Sequence, residues 1–199
     1  MPTPWLDKVK QTKKLLIYND AGAWSTSVEK AIKTFNSLGF PVTLATETDV
    51  NAANIVIKLS IGPDNHTFKS RFYGDPDVST SKKFNPEWPH GDTRTVVDPD
   101  RSAVAFAATF LPGKLKNASE GLKEVVIVHE LIHGCGLDGG IGGGKTDGTQ
   151  DHDTEGVMYD VMATDGNGLI EGTRPKGVRA MPPIRVGVKT RRKIKAIWT

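Results

Sequence analysis

The sequence predicts an α/β (α+β) fold built as one domain. Three features lead there. Within the first 60 residues a strand-like apolar run, a helix-period segment and two more strand-like runs follow one another. A second, more apolar helix-period segment begins just past residue 117. The chain between and after these elements is rich in Gly, Pro and Asp, the composition of irregular connections.

Taken in order, residues 13–19 (KKLLIYN) form a short apolar run closed by Asn-Asp, which reads as a strand. Thr26-Ser-Val-Glu29 offers a capping box, in which Thr26 and Glu29 satisfy each other's backbone N–H groups. Val28, Ala31, Ile32, Phe35 and Leu38 then recur at helical spacing, and Gly39-Phe-Pro41 ends the helix. Residues 42–47 and 54–60 (NIVIKLS) read as two further strands, so the opening is β-α-β-β with a helix laid across a sheet. Residues 62–100 carry repeated Gly, Pro and Asp with little periodicity and read as a long loop. Residues 102–111 (SAVAFAATFL), closed by Pro112-Gly113, read as a strand of small residues. Asn117-Ala-Ser-Glu120 offers a second capping box for a helix with Leu122, Val125, Val126, Val128, Leu131 and Ile132, ending near Gly134 and Gly136. Residues 139–156 are a Gly- and Asp-rich loop, and Thr190 can cap a short basic helix that turns Ile194, Ile197 and Trp198 inward.

Composition excludes several classes. Hydrophobic residues at 37% are too many for a disordered chain. No run approaches the roughly 20 apolar residues of a membrane span. A net charge of +3 is too weak an excess to argue for nucleic acid, and it gathers in Lys189, Arg191, Arg192, Lys193 and Lys195, which read as the solvated face of a terminal helix. With Cys135 alone there is no intrachain disulfide, and the thiol reads as a small buried hydrophobe. The start of the chain lacks the apolar stretch of a signal peptide, which leads to an expectation of a cytoplasmic protein, a mature domain or a phage virion component.

The chemistry concentrates in His129-Glu130-Leu131-Ile132-His133, an H-E-x-x-H pattern on the second helix. Residues i and i+4 stand one above the other on a helix face, so both imidazoles can reach one metal ion. Glu130 lies about 100° round the helix, placed to act as a general base without becoming a ligand. The plainer reading is a helix with two ordinary histidines. Against it stand the cap, the apolar helix and the glycines that follow. A catalytic zinc site wants three protein ligands. Asp138, Asp147, Asp151, His152, Asp153 and Glu155 are the downstream candidates, with His152 favoured because imidazole suits zinc and Asp138 as the alternative.

These residues resemble the metzincin zinc endopeptidases, most closely the matrixins. That family carries H-E-x-G-H-x-x-G-L-x-H and, soon after, a methionine turn reading A-L-M-Y-P. Here His133 is followed by Gly-Cys-Gly136-Leu137, and later by Gly156-Val-Met158-Tyr159-Asp160. The resemblance implies that Gly136 and Leu137 turn the chain back and that Met158 forms an apolar floor beneath the metal. Gly139 stands where the family's third histidine would be, so a Gly-rich insertion at 139–150 would have to end at Asp151-His152-Asp153. The implied architecture is a twisted, mostly parallel sheet with two long helices in a subdomain of residues 1–136. A small irregular subdomain, 137–199, would carry the methionine turn and a terminal helix. Residues 102–113 resemble the family's edge strand, which implies substrate contacts at Ala103, Val104, Ala105 and Phe106. His90-Gly-Asp92 is similar to the family's structural-zinc pattern, but Val104 occupies the histidine position of that strand, so one catalytic zinc is implied.

Other signals are weaker. Residues 139–146 fit G-x-x-x-x-G-K-[ST], but an acidic, aperiodic segment follows where a phosphate-binding loop needs a helix. Asp147, Asp151 and Asp153 could hold calcium, yet the twelve-residue loop spacing is missing. His66 and His90 read as surface histidines. The expectation is a zinc endopeptidase acting on peptide or protein, in which His129, His133 and His152 bind zinc and Glu130 is general base and acid. The alternatives are a non-catalytic binding or structural domain that keeps the fold, and a nucleotide-binding protein using Lys145.

Overall fold

A computed structural model of the chain describes residues 3–60, 65–70, 78–83, 91–98, 100–113, 117–137, 184, 186 and 188–199. Among the described residues there are four helices: α1 (Asp7–Thr12), α2 (Ser25–Ser37), α3 (Glu120–Gly134) and α4 (Val188–Trp198). Seven strands accompany them among the described residues: β1 (Lys14–Asp20), β2 (Thr43–Glu47), β3 (Ile55–Ser60), β4 (Asn65–Ser70), β5 (Val78–Lys83), β6 (Asp92–Asp98) and β7 (Ala103–Pro112). Five strands form one sheet in the order β2-β1-β3-β7-β6, while β4 and β5 make a separate hairpin. The neighbours β2, β1, β3 and β7 run parallel, and β6 runs antiparallel to β7. The fold is therefore α/β with a mostly parallel sheet.

Alternation along the strands builds two cores. Ile55 and Ile57 of β3, with Ala105, Ala107 and Leu111 of β7, join the large cluster that holds the apolar faces of α2 and α3. Val56, Phe106, Ala108 and Phe110 point the other way into a smaller cluster. A period of two sends successive side chains to opposite faces, and β7 is buried along its whole length because both of its faces are covered. α3 is apolar nearly all round, the mark of a helix buried on more than one side.

Several expectations need correction. The stretch 62–100 holds β4, β5 and β6, whose Thr, Ser, Lys and Arg residues hide the apolar alternation by which strands are recognised. Neither capping box forms as expected. A 3-10 turn at Gly22–Trp24 carries the chain into α2 before Thr26, and at α3 the cap is Ser119, whose side chain accepts from the Leu122 N–H. α4 begins at Val188, so Thr190 lies inside it, though Ile194, Ile197 and Trp198 are buried as the spacing requires. Most consequentially, residues 103–112 are not an edge strand. β7 is flanked by β3 and β6, and Trp5 bridges to Val104 beyond the end of β3. The backbone of Ala103, Val104, Ala105 and Phe106 therefore lies in the sheet interior, and these four residues are buried. The edges of the sheet are β2 and β6, and β6 is the edge strand beside β7.

Candidate metal centre

α3 delivers His129, Glu130 and His133 because its other faces are held so firmly. Leu131 and Ile132 are fully buried between the two histidines in sequence, which fixes the helix rotation. Its C-terminal carbonyls, orphans of the helical ladder, are capped by indoles: Trp5 Nε1 donates to Gly134 O at 2.9 Å, and Trp198 Nε1 to Cys135 O at 3.0 Å. Gly136 then turns the chain with φ of +100°, and a Cβ there would stand 2.3 Å from Thr3 O. Only glycine meets both demands. Thr3 N–H donates to Gly136 O at 3.0 Å, tying the amino-terminal segment to this turn.

The turn feeds directly into the site. Leu137 O lies 2.6 Å from His133 Nδ1. A carbonyl can only accept, so Nδ1 carries the proton, and in the neutral ring Nε2 presents its lone pair. That nitrogen lies 3.2 Å from His129 Nε2, with the two rings edge-on at 71°. Two imidazoles on one tetrahedral zinc, with Zn–N of about 2.0–2.1 Å, hold their nitrogens about 3.3 Å apart. The pair therefore fits a shared zinc ion. Both rings keep partial exposure, whereas Glu130 is 2% exposed.

Glu130 turns toward the sheet. Its Oε1 lies 3.9 Å from His129 Nε2, and its Oε2 accepts a hydrogen bond of 2.8 Å from Thr93 Oγ1 on β6. Thr93 Oγ1 lies 2.8 Å from Thr109 Oγ1 on β7. Gly91, just before β6, packs against the same carboxylate so closely that a Cβ would sit 2.9 Å from Oε1. The sequence pattern His90-Gly-Asp92 includes Gly91, but nothing in the sequence tied Gly91, Thr93 or Thr109 to Glu130. The Gly-Asp step before a Thr-rich stretch was the only local trace of them, and threonine is ordinary in strands.

The remaining candidates divide cleanly. His129, Glu130 and His133 come together as their spacing requires. Asp138, His152, Met158, the acidic residues at 147–155, Lys145 and His90 lie outside the described residues. Among the described residues no group of three or more His, Cys, Asp or Glu side chains could hold a metal, so His129 and His133 stand there as a pair. Cys135 is buried, as expected, and burial pushes its thiol pKa upward. Among the described residues no helix is long and apolar enough to cross a membrane.

No protein-family model matches the chain, and no curated protein matches it either.

Proposed function

We propose that this chain is a metzincin-like zinc endopeptidase in which His129, His133 and His152 hold the metal and Glu130 is general base and acid. Asp138 is the alternative third ligand, and Met158 would floor the site. The observation that supports this is the 3.2 Å approach of the two Nε2 atoms, with the His133 tautomer set by Leu137 O and a carboxylate one residue away. A zinc ion there would supply Lewis-acid chemistry, polarising the peptide carbonyl and making water more acidic. Glu130 Oε1 takes the proton of the attacking water and passes it to the departing amine nitrogen. Leu137 O keeps His133 in its donating tautomer, and burial of Glu130 shields the proton transfer from bulk solvent. An extended substrate would align with β6, because β6 is the sheet strand at the edge on the α3 side.

The experiment combines metal analysis with cleavage of unfolded protein substrates by wild type and Glu130→Gln. The expected result is one zinc per chain in both, with cleavage in wild type and a loss of about 10²–10⁴-fold in the variant. Zinc bound without cleavage would make the chain a binding domain that keeps this site. Absence of zinc binding would overturn the reading.

A further inference from the structure

We propose that Thr93, backed by Thr109, is a positioning residue that holds the Glu130 carboxylate in its working orientation; this rests on the reading of Glu130 as the general base. The three side chains form a buried polar cluster: Thr93 is 7% exposed, Thr109 0% and Glu130 2%. Burying carboxylate oxygens this deeply is costly unless hydrogen bonds replace the water they lose. Thr93 and Thr109 stand directly opposite each other across β6 and β7, on the face beneath α3. Thr93 Oγ1 is 2.8 Å from Glu130 Oε2, 3.1 Å from Glu130 O and 2.8 Å from Thr109 Oγ1.

One hydroxyl has one proton to give. The carboxylate oxygen is nearer than the backbone carbonyl and, when ionised, the stronger acceptor. Thr93 therefore donates to Oε2 and accepts from Thr109, a directed chain in which each bond polarises the next. Anchoring Oε2 leaves Oε1 as the oxygen turned toward His129 Nε2, at 3.9 Å. The same bond joins the edge strand, where substrate would align, to the helix that carries the base.

The test uses the full chain with Thr93→Val, Thr93→Ser and Thr109→Val. Thr93→Val keeps the shape and removes the donor. It should retain zinc and KM while kcat falls about 10–100-fold, the usual cost of losing a group that orients a site residue. Thr93→Ser should restore most of kcat. A readout independent of activity is the ¹³Cδ resonance of Glu130 in zinc-free, glutamate-labelled protein at fixed neutral pH, assigned through Glu130→Gln. It should move in Thr93→Val, return in Thr93→Ser, and move less in Thr109→Val. An unmoved resonance with wild-type kcat overturns the proposal, as does a loss that Ser does not rescue or that falls on KM alone. Should Thr93→Val fail to fold, Thr109→Val is read by the same two criteria. A wild-type protein that cleaves no peptide refutes the hydrolase reading instead, while the resonance still reports whether Thr93 holds the carboxylate.

Discussion

Gly91 lies so close to Glu130 that a Cβ on it would stand 2.6 Å from Glu130 Cγ. Its φ lies outside the left-handed region, so what forbids a larger residue is space rather than backbone conformation. With Thr93 bonding Oε2 and Gly91 pressing on the Oε1 side, the carboxylate is confined from two directions by one short stretch of chain.

Gly91→Ala should therefore displace the Glu130 side chain. Overpacking of this kind costs about 1–3 kcal/mol, which denaturant unfolding would register as a lower midpoint at unchanged slope. Zinc content should persist, because the atoms nearest a Cβ at Gly91 belong to Glu130 and to neither histidine, while cleavage should fall with kcat. A variant with wild-type stability and kcat would show that the neighbouring chain yields.

The third ligand separates two single substitutions. His152→Ala should lose zinc by orders of magnitude, since three ligands become two, and Asp138→Ala should retain it. Equilibrium dialysis against a zinc indicator reads both, and the reverse pattern would assign Asp138. Chelation of wild type should lower its Tm, because a metal bound only by the folded state stabilises that state by mass action.

Glu120 gives the pH dependence a definite sign. Hydrogen bonds from Lys123 first and Ser27 second hold its carboxyl below the usual range. A carboxyl with a lower pKa folded than unfolded adds stability above the unfolded value, and that stability drains away as pH falls through the folded one. Its side chain is 56% exposed, so water screens the pair and the contribution stays under about 1 kcal/mol. Glu120→Gln should be slightly less stable than wild type at neutral pH and equal to it in strong acid. A difference that persists unchanged into acid would mean the pair is not its source.

Cys135 should resist alkylation in the native protein. Its thiol is fully buried and its pKa is raised by that burial, so the reactive thiolate is scarce and out of reach. Iodoacetamide labelling followed by mass spectrometry should track global unfolding in urea. Fast labelling without denaturant would reveal local opening at the end of α3.

The β1-α2-β2-β3 succession and the apolar helix around His129 are legible in the residues alone because local rules act there, whereas the short α1 ahead of β1 is not. Val28, Ala31, Ile32 and Phe35 recur at the helical period, and Ile55–Ile57 form a run too apolar to be left exposed. The i, i+4 spacing likewise sets His129 beside His133, since it follows from the pitch of a helix and from nothing farther away. Strand order is of another kind. Residues 102–111 look the same whether they sit at the edge of a sheet or inside it, and only packing put β6 outside β7 and made β7 buried on both faces. β4, β5 and β6 are hard to read in the residues because their Thr, Ser, Lys and Arg side chains carry little apolar alternation, although each pairs with a strand close along the chain. Thr93 and Gly91 could not be read beside Glu130 for another reason. They are 37 and 39 residues away in the chain, and only the closing of α3 over the β6–β7 pair brings a hydroxyl and a bare backbone against a buried carboxylate that needs both.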